Sequence, residues 1–387
     1  MALIKKRIMA PGPTEVPPTV LAAAGQPILH HRTPQFRAIF AEVCDKVKVV
    51  FQTKQTVLTL AAGGTGGMEA LITNLSEPGE TVIVVSGGVF GERWAKISEA
   101  LGRKVAKIDV EWGKGADPAQ VEAALKASPE AVLVLATLSE TSTGVEHPIE
   151  AIAKVVAGTK ACFGVDAISG LGACKLLMDE WKIDAVVAGT QKGLMMPPGL
   201  ALIALSEKGW AKANSIKSGR FYWNLPTALK SMTAEKLPDT TYTPNVSLIM
   251  QLRESLNLIL AEGMEAIWER HQLLAKAARE GAKALGLRLL APDSPSCAVT
   301  AVWSPEGVEG TAVVKKLRDE WGISIVGGQG KLKTSIFRVG HLGYADRADV
   351  LMTLAALEVV LTELGVKVPR GEGVKAAQTV FMEAAKK

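Results

Sequence analysis

Short apolar runs, built mostly of Val, Ile, Leu and Ala and closed by turn residues, constrain this chain more than any other feature. They lie at 57–61, 81–85, 131–137, 161–165, 184–188 and 200–205. A strand with one face in water alternates apolar and polar residues, whereas an unbroken apolar run fits a strand covered on both faces. Helical periodicity at 68–75, 119–126 and 148–156 separates the runs. Strand and helix in alternation predict an α/β fold with a mostly parallel central sheet under layers of helix. A Leu-, Glu- and Arg-rich helical pattern follows from 248 to 285, broken near Gly263. Beyond it, strands at 287–290, 298–303, 323–326 and 336–339 and helices at 310–321 and 345–364 predict a smaller α+β unit. At roughly 100 to 200 residues per domain, a chain of 387 residues suits two. The expected division is an N-terminal extension at 1–18, a large domain at 19–262 and a small C-terminal domain at 263–387. The extension holds Pro11-Gly12-Pro13 and Pro17-Pro18, too restricted for regular structure, and is expected to lie over another surface.

Apolar residues at 48% and charged residues at 21% suit a globular core rather than disorder. Net charge is 44 − 39 = +5, an excess that the terminal runs Lys5-Lys6-Arg7 and Lys386-Lys387 already supply. Nucleic acid would need basic residues gathered on one face among aromatics, and only 5% of residues are aromatic. No uncharged stretch makes a good spanning helix of the ~20 residues a bilayer requires. The three apolar residues after Arg7 are too few for a signal peptide. A cytoplasmic protein without a membrane or nucleic-acid partner is therefore expected. The four cysteines lack CxxC spacing and the five histidines form no HExxH, so no metal site is expected.

Chemistry concentrates where strands end. Gly63-Gly64-Thr65-Gly66-Gly67 follows one apolar run and opens a helix, so its free N–H groups would face an anion such as phosphate. A tight connection is the alternative. The dinucleotide fingerprint fails because Glu69 stands where its third glycine belongs, and the phosphate-loop motif fails for want of Gly-Lys-Ser/Thr. Asp166 closes the run at 161–165 either as a turn cap or as a partner for a ring nitrogen or metal. Lys192 follows the run at 184–188 among apolar neighbours, where desolvation would favour the neutral, nucleophilic amine. An exposed turn lysine is its other reading. Arg338 ends a late strand and offers a fork to a carboxylate. An anion loop, an acid, a lysine and an arginine together are what pyridoxal phosphate and an amino-acid substrate need.

Longer segments make the pattern specific. They are Pro11-Gly12-Pro13-Thr14, His31-Arg32-Thr33-Pro34, the stretch 63–70, Glu140-Thr141-Ser142-Thr143-Gly144, Val165-Asp166-Ala167, Gly189-Thr190-Gln191-Lys192-Gly193, Pro197-Pro198-Gly199 and Phe337-Arg338-Val339-Gly340-His341. In this order, over nearly the whole chain, they resemble the class V aminotransferases of PLP-dependent transferase fold type I. The resemblance is greatest to the alanine–glyoxylate, serine–glyoxylate and serine–pyruvate branch.

The resemblance implies pyridoxal 5′-phosphate joined to Lys192 as a Schiff base, with Asp166 on its pyridine nitrogen. It assigns the phosphate turn to Gly63, Gly64 and Thr65 with Gln191 beside it, the ring stack to Phe90 and a hydroxyl near the ring oxygen to Thr141. Arg338 matches the arginine that binds the substrate carboxylate. Thr243 matches a threonine that reaches the neighbouring subunit's phosphate, which implies a homodimer with shared sites. Three positions depart from the pattern. Gly63 stands where serine is frequent, Thr240 where some relatives carry tyrosine, and His30 where glycine is common near the substrate. The activity implied is transfer of an amino group from a small amino acid, alanine or serine, to glyoxylate or pyruvate. Alternatives are another class V reaction, such as a lyase or an aminoethylphosphonate transaminase, and a non-catalytic subunit that keeps the fold. A desulfurase is disfavoured because Cys297 begins an apolar strand instead of sitting on a mobile loop.

Overall fold

In the computed structural model, which describes residues 4–386, the six apolar runs and one further strand form one sheet of seven strands. These are β1 (Val57–Leu60), β2 (Thr81–Ser86), β3 (Lys104–Asp109), β4 (Leu133–Thr137), β5 (Cys162–Asp166), β6 (Ala185–Gly189) and β7 (Ala201–Leu205). Their spatial order is β1-β7-β6-β5-β4-β2-β3. Only β7 runs against its neighbours. Side chains alternate across a strand, so Ile83, Val85, Val134, Ala136, Val186 and Ala188 enter one core. Val82, Val84, Leu133, Leu135, Ala185 and Val187 enter the other. Both faces are thus dry, which is why the runs are unbroken. Helices Pro34–Phe51 and Val246–Glu262 pack on the first face, Gly64–Leu75 and Val89–Ala100 on the second.

Departures from the sequence expectation have local causes. Strand β3 at the sheet edge has only Ile108 fully buried, so its Lys-Val-Ala-Lys-Ile-Asp sequence shows no apolar run. The helix expected from Met68 begins at Gly64. Its glycines let it lie close on the sheet: a Cβ at Gly64 would fall 2.5 Å from Ile168 Cδ1, and one at Gly67 2.5 Å from Val187 Cγ2. The long helical pattern does break, into Val246–Glu262 and Met264–Ala284, at Gly263 with φ of +86°.

A second, antiparallel sheet joins β8 (Val299–Trp303), β9 (Val326–Gly327) and β10 (Ile336–Gly340) in the order β8-β10-β9. Helices Gly310–Trp321 and Arg347–Glu363 cover it. The segment 287–290 is not a strand, because its backbone meets β8 only through a single bridge from Leu289 to Val302. The segment 323–326 is not one strand either. Ile323–Ser324 pairs in parallel with Arg7–Ile8, and the chain then changes partner to join β10. From that pairing the N-terminal segment crosses to the large sheet, where Thr14 N–H donates to Gln191 O at 3.1 Å and Thr14 Oγ1 to Lys192 O at 3.0 Å. Among the described residues no helix is long and apolar enough to cross a membrane.

Candidate active site

The carboxyl ends of β1, β2, β4, β5 and β6 open on one edge, the place where ligands bind in sheets of this kind. From β5 that edge receives Asp166, and from β6 it receives Gln191 and Lys192. After β1 come Gly63, Gly64 and Thr65, and after β2 comes Phe90 in the first turn of its helix. Thr141 sits in a tight hairpin after β4. Arg338, in the middle strand of the small sheet, donates to Thr141 O at 2.7 Å and to Gly327 O at 2.9 Å. Residues from six strands of two sheets therefore meet at one place.

Electrostatics there are unusual. Lys192 Nζ donates to Pro11 O at 2.5 Å. Burial pulls its amine down to about 8, with Asp166 opposing and Arg338 and Arg93 assisting. Asp166 is pushed up to about 7, chiefly by burial and also by nearby Glu140, while the Ile168 N–H bond, Arg93 and Lys192 act against that rise. The Ile168 bond measures 2.8 Å, and among the described residues no cation lies within 4 Å of the carboxylate. Burial also lowers Arg338, to about 10, against the pull of Glu140. Thr141 Oγ1 donates to Ser169 Oγ at 2.7 Å and keeps its acceptor side free.

Two residues escaped the sequence reading. Glu140, fully buried, accepts from the N–H groups of Phe90 at 3.1 Å, Gly91 at 3.0 Å and Ser142 at 3.2 Å. It thereby ties the Phe90 helix to the Thr141 hairpin, and a Cβ at Gly88 would strike its Cδ at 2.4 Å. Burial raises its carboxyl, against the hydrogen bonds it accepts. Arg93 lies one turn beyond Phe90, its guanidinium 4.8 Å from that ring and 3.0 Å from Thr65 Oγ1. The i, i+3 spacing of Phe90 and Arg93 was the signal for it.

His30 and Thr243 are not joined to this group within the single chain. Both are exposed, and His30 contacts the Arg32 N–H and the His31 ring. Their segments share a surface: Arg32 pairs with Asp239 at 2.9 Å, and Tyr222 stacks on Tyr242 at 4.7 Å. Thr240 Oγ1 donates to Tyr242 O at 2.6 Å. Phe221 on the same surface is 100% exposed, and nearby in sequence Ile28 is 75% exposed.

The family model for class V aminotransferases matches residues 10–350. The chain belongs to the class V aminotransferases. Among these aminotransferases and their kin, a Synechococcus protein named "Soluble hydrogenase, small subunit" is 41% identical, over 98% of this chain and 99% of that one. A serine–glyoxylate aminotransferase of Methylorubrum extorquens is 34% identical over 98% of this chain and 96% of its own. The crystal structure of the ureidoglycine–glyoxylate aminotransferase from Bacillus subtilis superposes with a TM-score of 0.92, at 33% identity and 99% coverage of each chain.

The side chains of this aminotransferase fit pyridoxal phosphate. Among the described residues the buried Asp166 carboxylate has no cation within 4 Å, and Gln191 Oε1 is buried without a hydrogen-bond partner. The N–H groups of Gly64 and Thr65, in the first turn of a helix, have no acceptor within it. A Cβ at Gly12 would come within 2.2 Å of Lys192 Nζ, so only glycine leaves that amine its room. Among the described residues no group of three or more His, Cys, Asp and Glu side chains is placed to hold a metal ion.

Proposed function

We propose that this class V aminotransferase uses pyridoxal phosphate to move the amino group of a small amino acid, alanine or serine, to glyoxylate or pyruvate. The observation that carries the reading is the meeting of Lys192, Asp166 and Arg338, three buried or half-buried charges, at the open edge of one sheet. When bound, the cofactor supplies an aldehyde that takes up the amino group and a ring that draws electrons from the substrate Cα. Lys192, whose amine burial brings down to about 8, would attach the cofactor and move the proton at Cα. Asp166 would keep a proton on the ring nitrogen, and Phe90 would pack against the ring. Gly63, Gly64, Thr65 and Gln191 would take the phosphate, and the Thr141 hydroxyl would stand near the ring oxygen. Arg338, held in place by Thr141 O and Gly327 O, grips the substrate carboxylate. The proposed unit boundaries stay at 1–18, 19–262 and 263–387.

With glyoxylate as acceptor the product is glycine. Purified enzyme loaded with cofactor is expected to form glycine from glyoxylate with alanine or serine, read by chromatography, and no glycine with either donor together with no alanine from serine and pyruvate would refute the reading. Arg338→Lys keeps the charge but not the planar fork. Its kcat/KM is expected to fall at least about tenfold for amino and keto acids alike, since a hydrogen bond to a charged group contributes roughly 1.5–3 kcal/mol. Cofactor absorbance should stay the same.

A homodimer with shared sites belongs to the same reading. Exposed Phe221, beside the Thr243 segment, and exposed Ile28, two positions before His30, support it, because large apolar side chains in water mark contact surfaces. Thr243 would then reach the partner subunit's phosphate, and His30 would stand near a substrate. Dilution to monomer is expected to release cofactor. Sedimentation that finds a monomer holding cofactor as tightly as the dimer would rule the shared site out.

A further inference from the structure

We propose that Arg93 is the charged anchor of the cofactor's phosphate, reaching from the Phe90 helix across the first turn of the Gly64 helix. The inference rests on the pyridoxal phosphate reading above. Gly63, the residue before that turn, has no side chain to donate, and a Cβ built there would meet nothing within 4 Å. Backbone N–H groups and the helix dipole thus face an open space beside Gly63. They carry only partial charge, and a phosphate dianion calls for more.

Arg93 is the cation placed to supply it. Its Nη1 donates to Thr65 Oγ1 at 3.0 Å, and the Phe90 ring lies 4.8 Å from its Cζ, so two neighbours from different elements hold the guanidinium. Among the described residues no carboxylate lies within 4 Å of it, although other arginines of the chain, such as Arg32 and Arg37, do have such partners. A half-buried guanidinium held in one place without a counter-ion keeps donors free for an anion. Its field reaches the site, lowering both Asp166 and Lys192. The bond to Thr65 has a directional effect too. Arg93 occupies an acceptor position of Oγ1, which leaves the hydroxyl proton to point at the phosphate. Guanidinium, hydroxyl and two N–H groups would converge on one anion.

Arg93→Met keeps an unbranched side chain against Phe90 and removes the charge. Apoenzyme of wild type and variant is titrated with pyridoxal phosphate, with pyridoxal, which has the ring and aldehyde but no phosphate, and with inorganic phosphate as competitor. Bound-cofactor absorbance gives the dissociation constants. Arg93→Met is expected to weaken pyridoxal phosphate and inorganic phosphate roughly tenfold to a hundredfold, the worth of a hydrogen bond to a charged group, and to leave pyridoxal unchanged. Arg93→Lys should recover part of the loss. Equal weakening of pyridoxal and pyridoxal phosphate would mean that Arg93 acts only through Phe90, and no weakening of either would make it a bystander; each outcome overturns the proposal while the cofactor reading stands. Wild-type protein that fails to bind pyridoxal phosphate would bring down both.

Discussion

Lys192→Ala is expected to lower transamination by about four orders of magnitude or more, since one residue both attaches the cofactor and moves the Cα proton, and proton transfer alone accounts for roughly 10²–10⁴-fold. The fold should survive. The side chain is half-buried and its hydrogen bond goes to Pro11 O, so truncation disturbs a contact at the sheet edge while the apolar cores on both faces remain intact. Two measurements check this. Borohydride treatment of wild type should leave cofactor covalently fixed on the peptide containing residue 192, by mass spectrometry, and the variant should carry none. Thermal unfolding of the two apoproteins should differ by little. Near-normal turnover in the variant would assign the chemistry to another amine.

Asp166→Asn is expected to act in opposite directions on stability and on catalysis. The carboxylate is buried without a cation, and its folded value near 7 lies well above its ordinary 3.8. Between those two values the unfolded chain has lost the proton while the folded chain keeps it, so stability falls as pH rises through that window. At three units and about 1.4 kcal/mol per unit, the loss is on the order of 4 kcal/mol. The asparagine variant lacks that titration. Its apoprotein should therefore be more stable than wild type at pH 8, with the difference shrinking as pH falls from 7 to 4, read by denaturant unfolding at fixed ionic strength. With cofactor bound the sign reverses, because a protonated ring nitrogen is the cation that Asp166 lacks. Both half-reactions should slow by on the order of a hundredfold or more, as happens when one preorganised electrostatic partner is removed. Wild-type single-turnover rates in the variant would reduce Asp166 to a turn residue capping Ile168.

Legibility followed exposure of pattern. Strands β2, β4, β5, β6 and β7 were plain because burial on both faces demands unbroken apolar runs, and their ends then pointed to Asp166 and Lys192. Strand β3, mostly accessible at the edge, carried no such demand. The 323–326 segment misled because apolar residues there serve two different pairings, one with Arg7–Ile8 and one with β10. Glu140 was passed over even though it stands next to Thr141 in a matched motif, since a carboxylate in a hairpin reads as solvated until its donors Phe90 and Gly91 are seen to come from another element.

What the chain's order of residues determined alone is the layered α/β sheet, the Gly-rich turn at a helix start, and the family to which these motifs point. Periodicity and turn chemistry are local, so they survive without knowledge of what packs where. The tertiary structure decided which groups meet. Lys192 bonds to Pro11 across 181 positions, and Arg338 bonds to Thr141 across 197. Such contacts depend on strand order and on the path of the N-terminal segment, and no local pattern encodes either one. The same long-range packing removes water from Asp166, Lys192 and Arg338, which disfavours the charged form of each and brings Lys192 toward the neutral amine its chemistry needs.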